Sequence, residues 1–132
     1  MKIKLIIFTF AALFIFIGSA SKSFAQQEVP IAGGYMQADV KHKDVIAAAG
    51  FAATTQGKKQ KSAIKVVSIK TAKTQIVAGI NYQVCMEISA KKKSAKTAAK
   101  QFVTAVVYRN LQNKYSLTSW TAVAENSTCE SN

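Results

Sequence analysis

The stretch Asp39–Thr55, DVKHKDVIAAAGFAATT, is followed after a short polar connection by Ala63–Ile69, AIKVVSI, and the change of period between them decides the fold. In the first stretch Val45, Ala48, Ala49 and Ala52 fall at i, i+3, i+4 and i+7, which is one face of a helix. Asp39 stands where an N-cap is expected, so the spacing predicts a helix from there to about Thr55. Lys41, Lys43 and Asp44 lie off the stripe, and Phe51 is its one large anchor. A face built of alanines implies a helix pressed close against whatever covers it. In the second stretch Ile64, Val66 and Ser68 alternate with Lys65, Val67 and Ile69, the period of a strand.

Outward from this pair the chain reads as hairpins. Gln56–Ser62 is the connection, and Thr74–Gly79 suits the turn of a long hairpin leading to a second strand, Ile80–Ser89. Ala90–Lys100 reads as a basic loop. Phe102–Asn110 reads as a third strand, Leu111–Trp120 as a turning segment, and Thr121–Ala124 as a piece that pairs back. One helix followed by consecutive hairpins is an α+β plan in which the helix covers one face of an antiparallel sheet.

The N-terminus is set apart. Lys2 and Lys4 precede an apolar run from Leu5 to Ile17, broken only by Thr9, and small residues follow through Ala25. That order is the order of a secretory signal peptide, so residues 1–25 are expected to be removed and residues 26–132 to form a single domain. Removal takes Lys2, Lys4 and Lys22 from the eighteen basic residues and leaves all six acids, for a mature net charge of +9. The expected location is secreted or periplasmic, and the lysine- and alanine-rich loops suit a bacterial periplasmic protein as well as any other exported one.

The two cysteines, Cys85 and Cys129, make one disulfide the default in an oxidising compartment, with two free thiols as the alternative. A bond closing that loop would contribute roughly 4 kcal/mol on the chain-entropy account. The lysines at 58, 59, 61, 91, 92, 93, 96 and 100 carry no interleaved aromatic for base stacking, which argues for a solvated surface and no nucleic-acid partner. No membrane segment is expected once the leader is gone.

Catalysis is not indicated. The acids are scattered, His42 stands alone beside Lys41 and Lys43, and no Gly-x-Ser-x-Gly, phosphate loop or spaced metal pair occurs. The expectation is therefore a binding protein without cofactor or metal.

Three segments then stand out together. Gly33-Gly34 follows a short trunk, Gln75-Ile76-Val77-Ala78-Gly79 fits Gln-x-Val-x-Gly and runs on into Ile80-Asn81-Tyr82, and Trp120 comes later. In this order they resemble the inhibitory edge of the cystatin family, and the similarity extends to Phe51-Ala52 and Ser127-Thr128-Cys129. The resemblance implies a curled antiparallel sheet of four to five strands wrapped around one helix. It also implies an inhibitor of papain-like cysteine proteases whose trunk and two hairpins form a wedge in the active-site cleft. The alternative is a non-inhibitory protein of the same fold that binds anionic surfaces or another partner through its basic face.

Carried over, Ile31 and Ala32 would lie on the non-primed side, Gly33 and Gly34 would hinge the trunk, and Gln75, Ile76, Val77, Ala78 and Gly79 would form the first hairpin. Ser119 and Trp120 would form the second. A monomer is expected, with domain-swapped dimers open through the first hairpin. Ser119 replaces the family's usual proline, and Ala32 is smaller than its usual aliphatic residue. Cys129 matches a family cysteine, whereas Cys85 lies on the second strand, so pairing the two departs from the secreted animal members. Gln56–Ser62 lacks the asparagine that some relatives use against legumain, which implies no legumain inhibition.

Overall fold

The helix begins one turn later and ends one turn later than its periodicity alone suggests, and both shifts have local causes. The computed structural model describes residues 33–124 and Cys129, so the expected leader and the trunk residues Ile31 and Ala32 lie outside the described residues. Helix α1 spans Lys43–Gln60. Its N-cap is His42, whose Nδ1 accepts from the Asp44 amide at 3.3 Å. Asp39, the expected cap, instead closes the preceding turn. Its Oδ1 accepts from the Lys41 amide at 2.9 Å and its carbonyl accepts from the His42 amide at 3.0 Å.

At the other end Gly57 does not stop the helix, because it is a packing residue. It is buried, and a Cβ placed there would lie 2.7 Å from the carbonyl oxygen of Ser62, where the following strand starts. The helix closes at Lys61, whose left-handed backbone (φ 50°) turns its amide to the Gly57 and Lys58 carbonyls.

The strands are β1 (Tyr35–Gln37), β2 (Ser62–Val77), β3 (Gly79–Lys92), β4 (Ala99–Arg109) and β5 (Tyr115–Val123). They form one antiparallel sheet in the order β1-β2-β3-β4-β5, so the architecture is the expected α+β one. The strands are longer than periodicity suggested. The segment Thr74–Gly79, read as a turn, is mostly strand: β2 runs through Val77, and Val77 pairs with Gly79. The basic loop shrinks to residues 93–98.

Bulges explain the mismatch. In β2 the register shifts between Val66 and Ser68 and again between Ile69 and Thr71. Residues packed on or in the core therefore fall at Ile64, Val66, Ile69 and Ala72, with Val67 turned out to 47% exposure. An extra residue reverses the faces and bends the strand, which suits a sheet that must curl around a helix.

β5 uses the same device. Val106 pairs with Ser119 but Val107 pairs with Leu117, which leaves Thr118 as the extra residue. Leu117 and Trp120 then both pack against the core despite being three apart. Strict alternation would have put one of them outside, which is why Leu117–Trp120 did not read as strand.

The core joins one helix face to the inner face of the sheet. Val45, Ala48, Ala49 and Ala52 meet Ala72, Tyr82, Val84, Met86, Ile88, Val103, Ala105 and Val107. The helix supplies little bulk, so most of the burial free energy comes from sheet side chains such as Met86, Ile88 and Val84, at about 1.5–3 kcal/mol each. Phe51 packs its ring 5.5 Å from that of Tyr115.

Cys85 sits between the inward Val84 and Met86 and so faces the other side of the sheet. There it is joined to Cys129 with Cα atoms 5.7 Å apart, and Thr71 Oγ1 donates to the Cys129 carbonyl at 3.4 Å. Among the described residues no helix is long and apolar enough to cross a membrane.

The close pass at Gly57 gives a prediction of unusual sign. Alanine normally favours a helix over glycine by about 1 kcal/mol, yet Gly57→Ala should lower stability by about 1–3 kcal/mol, read as a lower midpoint in urea unfolding. A raised midpoint would contradict the contact with Ser62.

Candidate functional site

The register places three separated segments at one end of the sheet. Tyr35 pairs with Gln75, so Gly33-Gly34 enters beside the end of β2. Val77 pairs with Gly79 across a turn carried by Ala78 alone. Ile80 pairs with Arg109, and Arg109 pairs with Tyr115, which closes the β4–β5 hairpin at the same end. Large apolar side chains stand exposed along this edge: Ile76 (63%), Val77 (43%) and Leu111 (75%).

Ser119 and Trp120 are not on it. Trp120 lies inside β5 opposite Ala105, half-buried against the core, and Ser119 pairs with Val106 in mid-sheet. The expected second hairpin is therefore displaced to Asn110–Lys114, with Leu111 at its tip. β5 already begins at Tyr115, which puts Trp120 well inside the strand, and the bulge at Thr118 turns its side chain inward.

Hydrogen bonds hold the three segments to one another. Gln75 Nε2 donates to the Gly33 carbonyl at 2.6 Å, and Asn81 Nδ2 donates to Gln75 Oε1 at 2.9 Å. Gln75 thus links trunk, first strand and second strand through one amide. Tyr108 donates its hydroxyl to the Ala78 carbonyl, fastening the first hairpin to β4. Gly79 fits only as glycine: its φ is +127°, and a Cβ would fall onto the Arg109 carbonyl and within 2.8 Å of the Tyr108 ring. Gly33 also has positive φ, at 80°, but faces open space, so its glycine serves backbone conformation alone.

The second hairpin is fixed from within. Asn110 Oδ1 accepts from the amides of Gln112 at 3.0 Å and Lys114 at 2.9 Å, and Asn113 takes a left-handed φ of 61°. Leu111 is therefore presented on a rigid turn.

Beneath the edge Arg109 binds the helix start, with Nη1 3.1 Å from Asp44 Oδ2 and its guanidinium 5.5 Å over the Tyr82 ring. Burial opposes the Arg109 charge, and the hydrogen bond with Tyr115 together with Tyr82 and Asp44 more than offsets it, so the guanidinium is held above its ordinary range. Burial also pushes the Tyr82 phenol up, against the pull of Arg109. These groups brace the site and offer no reactive pair. Among the described residues no cluster of histidine, cysteine, aspartate and glutamate could hold a metal ion.

Sequence reasoning missed Leu111, Asn81 and Tyr108 as parts of this site. Leu111 had a signal in the asparagines around it, which mark a turn; the two buttressing side chains had none.

Residues 37–123, from β1 to β5, match the family described as SQAPI, aspartic acid proteinase inhibitor. The chain belongs to this family. Its fold is also that of solved cystatins. It is 29% identical to a salivary cystatin from the soft tick Ornithodoros moubata, with a TM-score of 0.58 over 70% of this chain and 99% of that one. Mialostatin, a gut cystatin from the hard tick Ixodes ricinus, is 22% identical with a TM-score of 0.57 over 70% of this chain and 100% of that one, a likeness of fold. No curated protein matches the chain.

The buttressing makes separable predictions for stability. Gly79→Ala should cost more than about 2 kcal/mol through backbone strain and overlap, and Tyr108→Phe about 1 kcal/mol through one hydrogen bond. Equal, negligible effects in urea unfolding would show that the first hairpin is not pinned to β4.

Proposed function

We propose that this protein is a reversible, tight-binding inhibitor of papain-like cysteine proteases, which blocks the active-site cleft with the edge formed by Gly33-Gly34, Gln75–Gly79 and Leu111. The observation that carries the reading is the alignment of these segments at one end of the sheet, apolar at the tips and tied together behind them. An apolar ridge suits a cleft, and a ridge with little freedom left has little to lose on binding. Ile31 and Ala32 would extend the trunk along the non-primed side.

The roles within the edge differ. Ile76, Val77 and Leu111 are the contact residues. Gln75 and Gly79 act behind the surface, one linking the strands and trunk and the other allowing the hairpin to pass close to Tyr108. Leucine at the second tip offers less area than the tryptophan expected there, and aromatic anchors dominate interface energies. The contribution of the second hairpin is accordingly smaller than the resemblance alone implied.

In this reading the protein acts as a monomer after export, secreted or periplasmic, once residues 1–25 are removed. The Cys85–Cys129 bond supports that, since disulfides persist in oxidising compartments.

A second reading is favoured by the family match itself: the same edge, or another face, would inhibit an aspartic proteinase. Titration of active papain and of pepsin with the purified protein separates the two. Papain should be inhibited stoichiometrically and pepsin not. A Val77→Asp, Leu111→Asp variant should lose at least about 100-fold in affinity for papain, because each carboxylate would be buried unpaired in an apolar contact. Inhibition of pepsin alone would replace the first reading with the second, and inhibition of neither would overturn both.

A further inference from the structure

At the end of the sheet opposite the edge, two elements bring lysines to one concavity. Lys58 and Lys61 come from the close of α1, and Lys91, Lys92 and Lys93 from the end of β3 and the turn beyond it. Together they line a depression of about 530 Å³. The register explains the convergence: Ser62 pairs with Lys92 and Ala63 with Lys91, so the start of β2 carries the helix end to the tip of the β3–β4 hairpin. Ser62 also lines the depression, and its buried hydroxyl has no hydrogen-bond partner.

Lysines stand at both ends of the sheet, but the described acids do not. Among the described residues the acids are Asp39, Asp44 and Glu87. Asp39 and Asp44 flank the helix start, at the far end. Glu87 is engaged by Lys70 and Lys100, at 3.7 and 3.6 Å. No described carboxylate lies within ion-pair distance of the five lysines of the depression.

Gathering five like charges around one depression is unfavourable for the isolated protein. The negative end of the helix dipole accounts for lysines at 58 and 61. It does not account for three more supplied by a different element. An arrangement that costs the free protein and that folding does not require fits an anionic partner.

We propose that this basic pole is a binding site for a linear sulfated polysaccharide. The lining chemistry selects that class. No arginine and no aromatic ring lines the depression, so neither base stacking nor planar phosphate recognition is provided. Its floor is Ala53, Ala63 and Ile64, and none of the strongly exposed large hydrophobics projects from it to insert into a lipid surface. What it offers is an array of flexible point charges in a groove, matched to a chain of repeated anions. The pole lies up to about 50 Å from the inhibitory edge along β2, at about 3.3 Å per residue, so a bound polysaccharide leaves that edge free. The proposal does not depend on which protease, if any, the edge meets.

The test compares two variants of equal net charge. One carries Lys58→Gln, Lys61→Gln and Lys92→Gln; the other carries Lys41→Gln, Lys43→Gln and Lys114→Gln, away from the pole. Both are checked by circular dichroism. Binding to heparin, to non-sulfated hyaluronan, to single-stranded DNA and to phosphatidylserine vesicles is then measured at several salt concentrations. The unmodified protein should bind heparin with steep salt dependence and at least 10-fold more tightly than the other three probes. The pole variant should lose at least 10-fold in heparin affinity while the control stays within about 3-fold. Equal losses in the two variants would show general charge attraction and overturn the site. Preference for DNA or vesicles, or failure to bind heparin at low salt, would overturn the class of partner.

Discussion

The structure depends on a helix whose buried face is almost all alanine. Ala48, Ala49 and Ala52 let the backbone of the helix approach the sheet closely, and in return they contribute little apolar volume. The sheet must therefore bend around the helix and fill the space with its own side chains. Met86, Ile88, Val84, Val103 and Val107 do so from the central strands, and the bulges in β2 and β5 supply the bend. Gly57 belongs to the same constraint, since the last helical turn passes too close to Ser62 for any side chain.

A sheet curled in this way presents two ends of different chemistry. At one end the strands finish in tight turns, and their tips project as an apolar ridge. The ridge is stiff because its fastenings are side chains of neighbouring strands: Gln75 and Asn81 across the trunk and first hairpin, Tyr108 from β4, and the asparagine turn under Leu111. Arg109 ties this end to the start of the helix through Asp44. At the other end the helix closes beside the β3–β4 hairpin, and the lysines gather. One packing arrangement thus sets where the ridge and the basic pole lie, while the lysines themselves are not required by it.

Much of this was legible in the sequence. The alanine stripe located the helix face, and the glutamine-to-glycine segment located the first hairpin. The α+β plan followed from the order of periods. What was not legible has one main cause: an extra residue in a strand shifts every later side chain to the other face, and no local propensity announces it. Val67, Lys70 and Thr118 carry no mark of a bulge, yet the bulges at Val67 and Thr118 turn Ile69 and Trp120 inward, and the one at Lys70 reverses the faces again so that Ala72 lies in the core. A tryptophan expected at a binding tip consequently belongs to the core side of β5, and a leucine that read as part of a turning segment stands at the tip. The helix cap was misassigned for a smaller reason, because Asp39 and His42 both can cap and the turn between them decides which one does.

In the proposed function a protease is held at the strand-end ridge and not at the lysine pole or on β5. Hydrogen–deuterium exchange of the protein, free and bound to papain whose catalytic thiol has been capped with a small group, tests it most directly. New protection is expected only at Gly33-Gly34, residues 76–79 and residues 110–113, with β5 around Trp120 and the lysine pole unchanged. Protection centred on β5 or on the pole, with the ridge still exchanging as in the free protein, would contradict it.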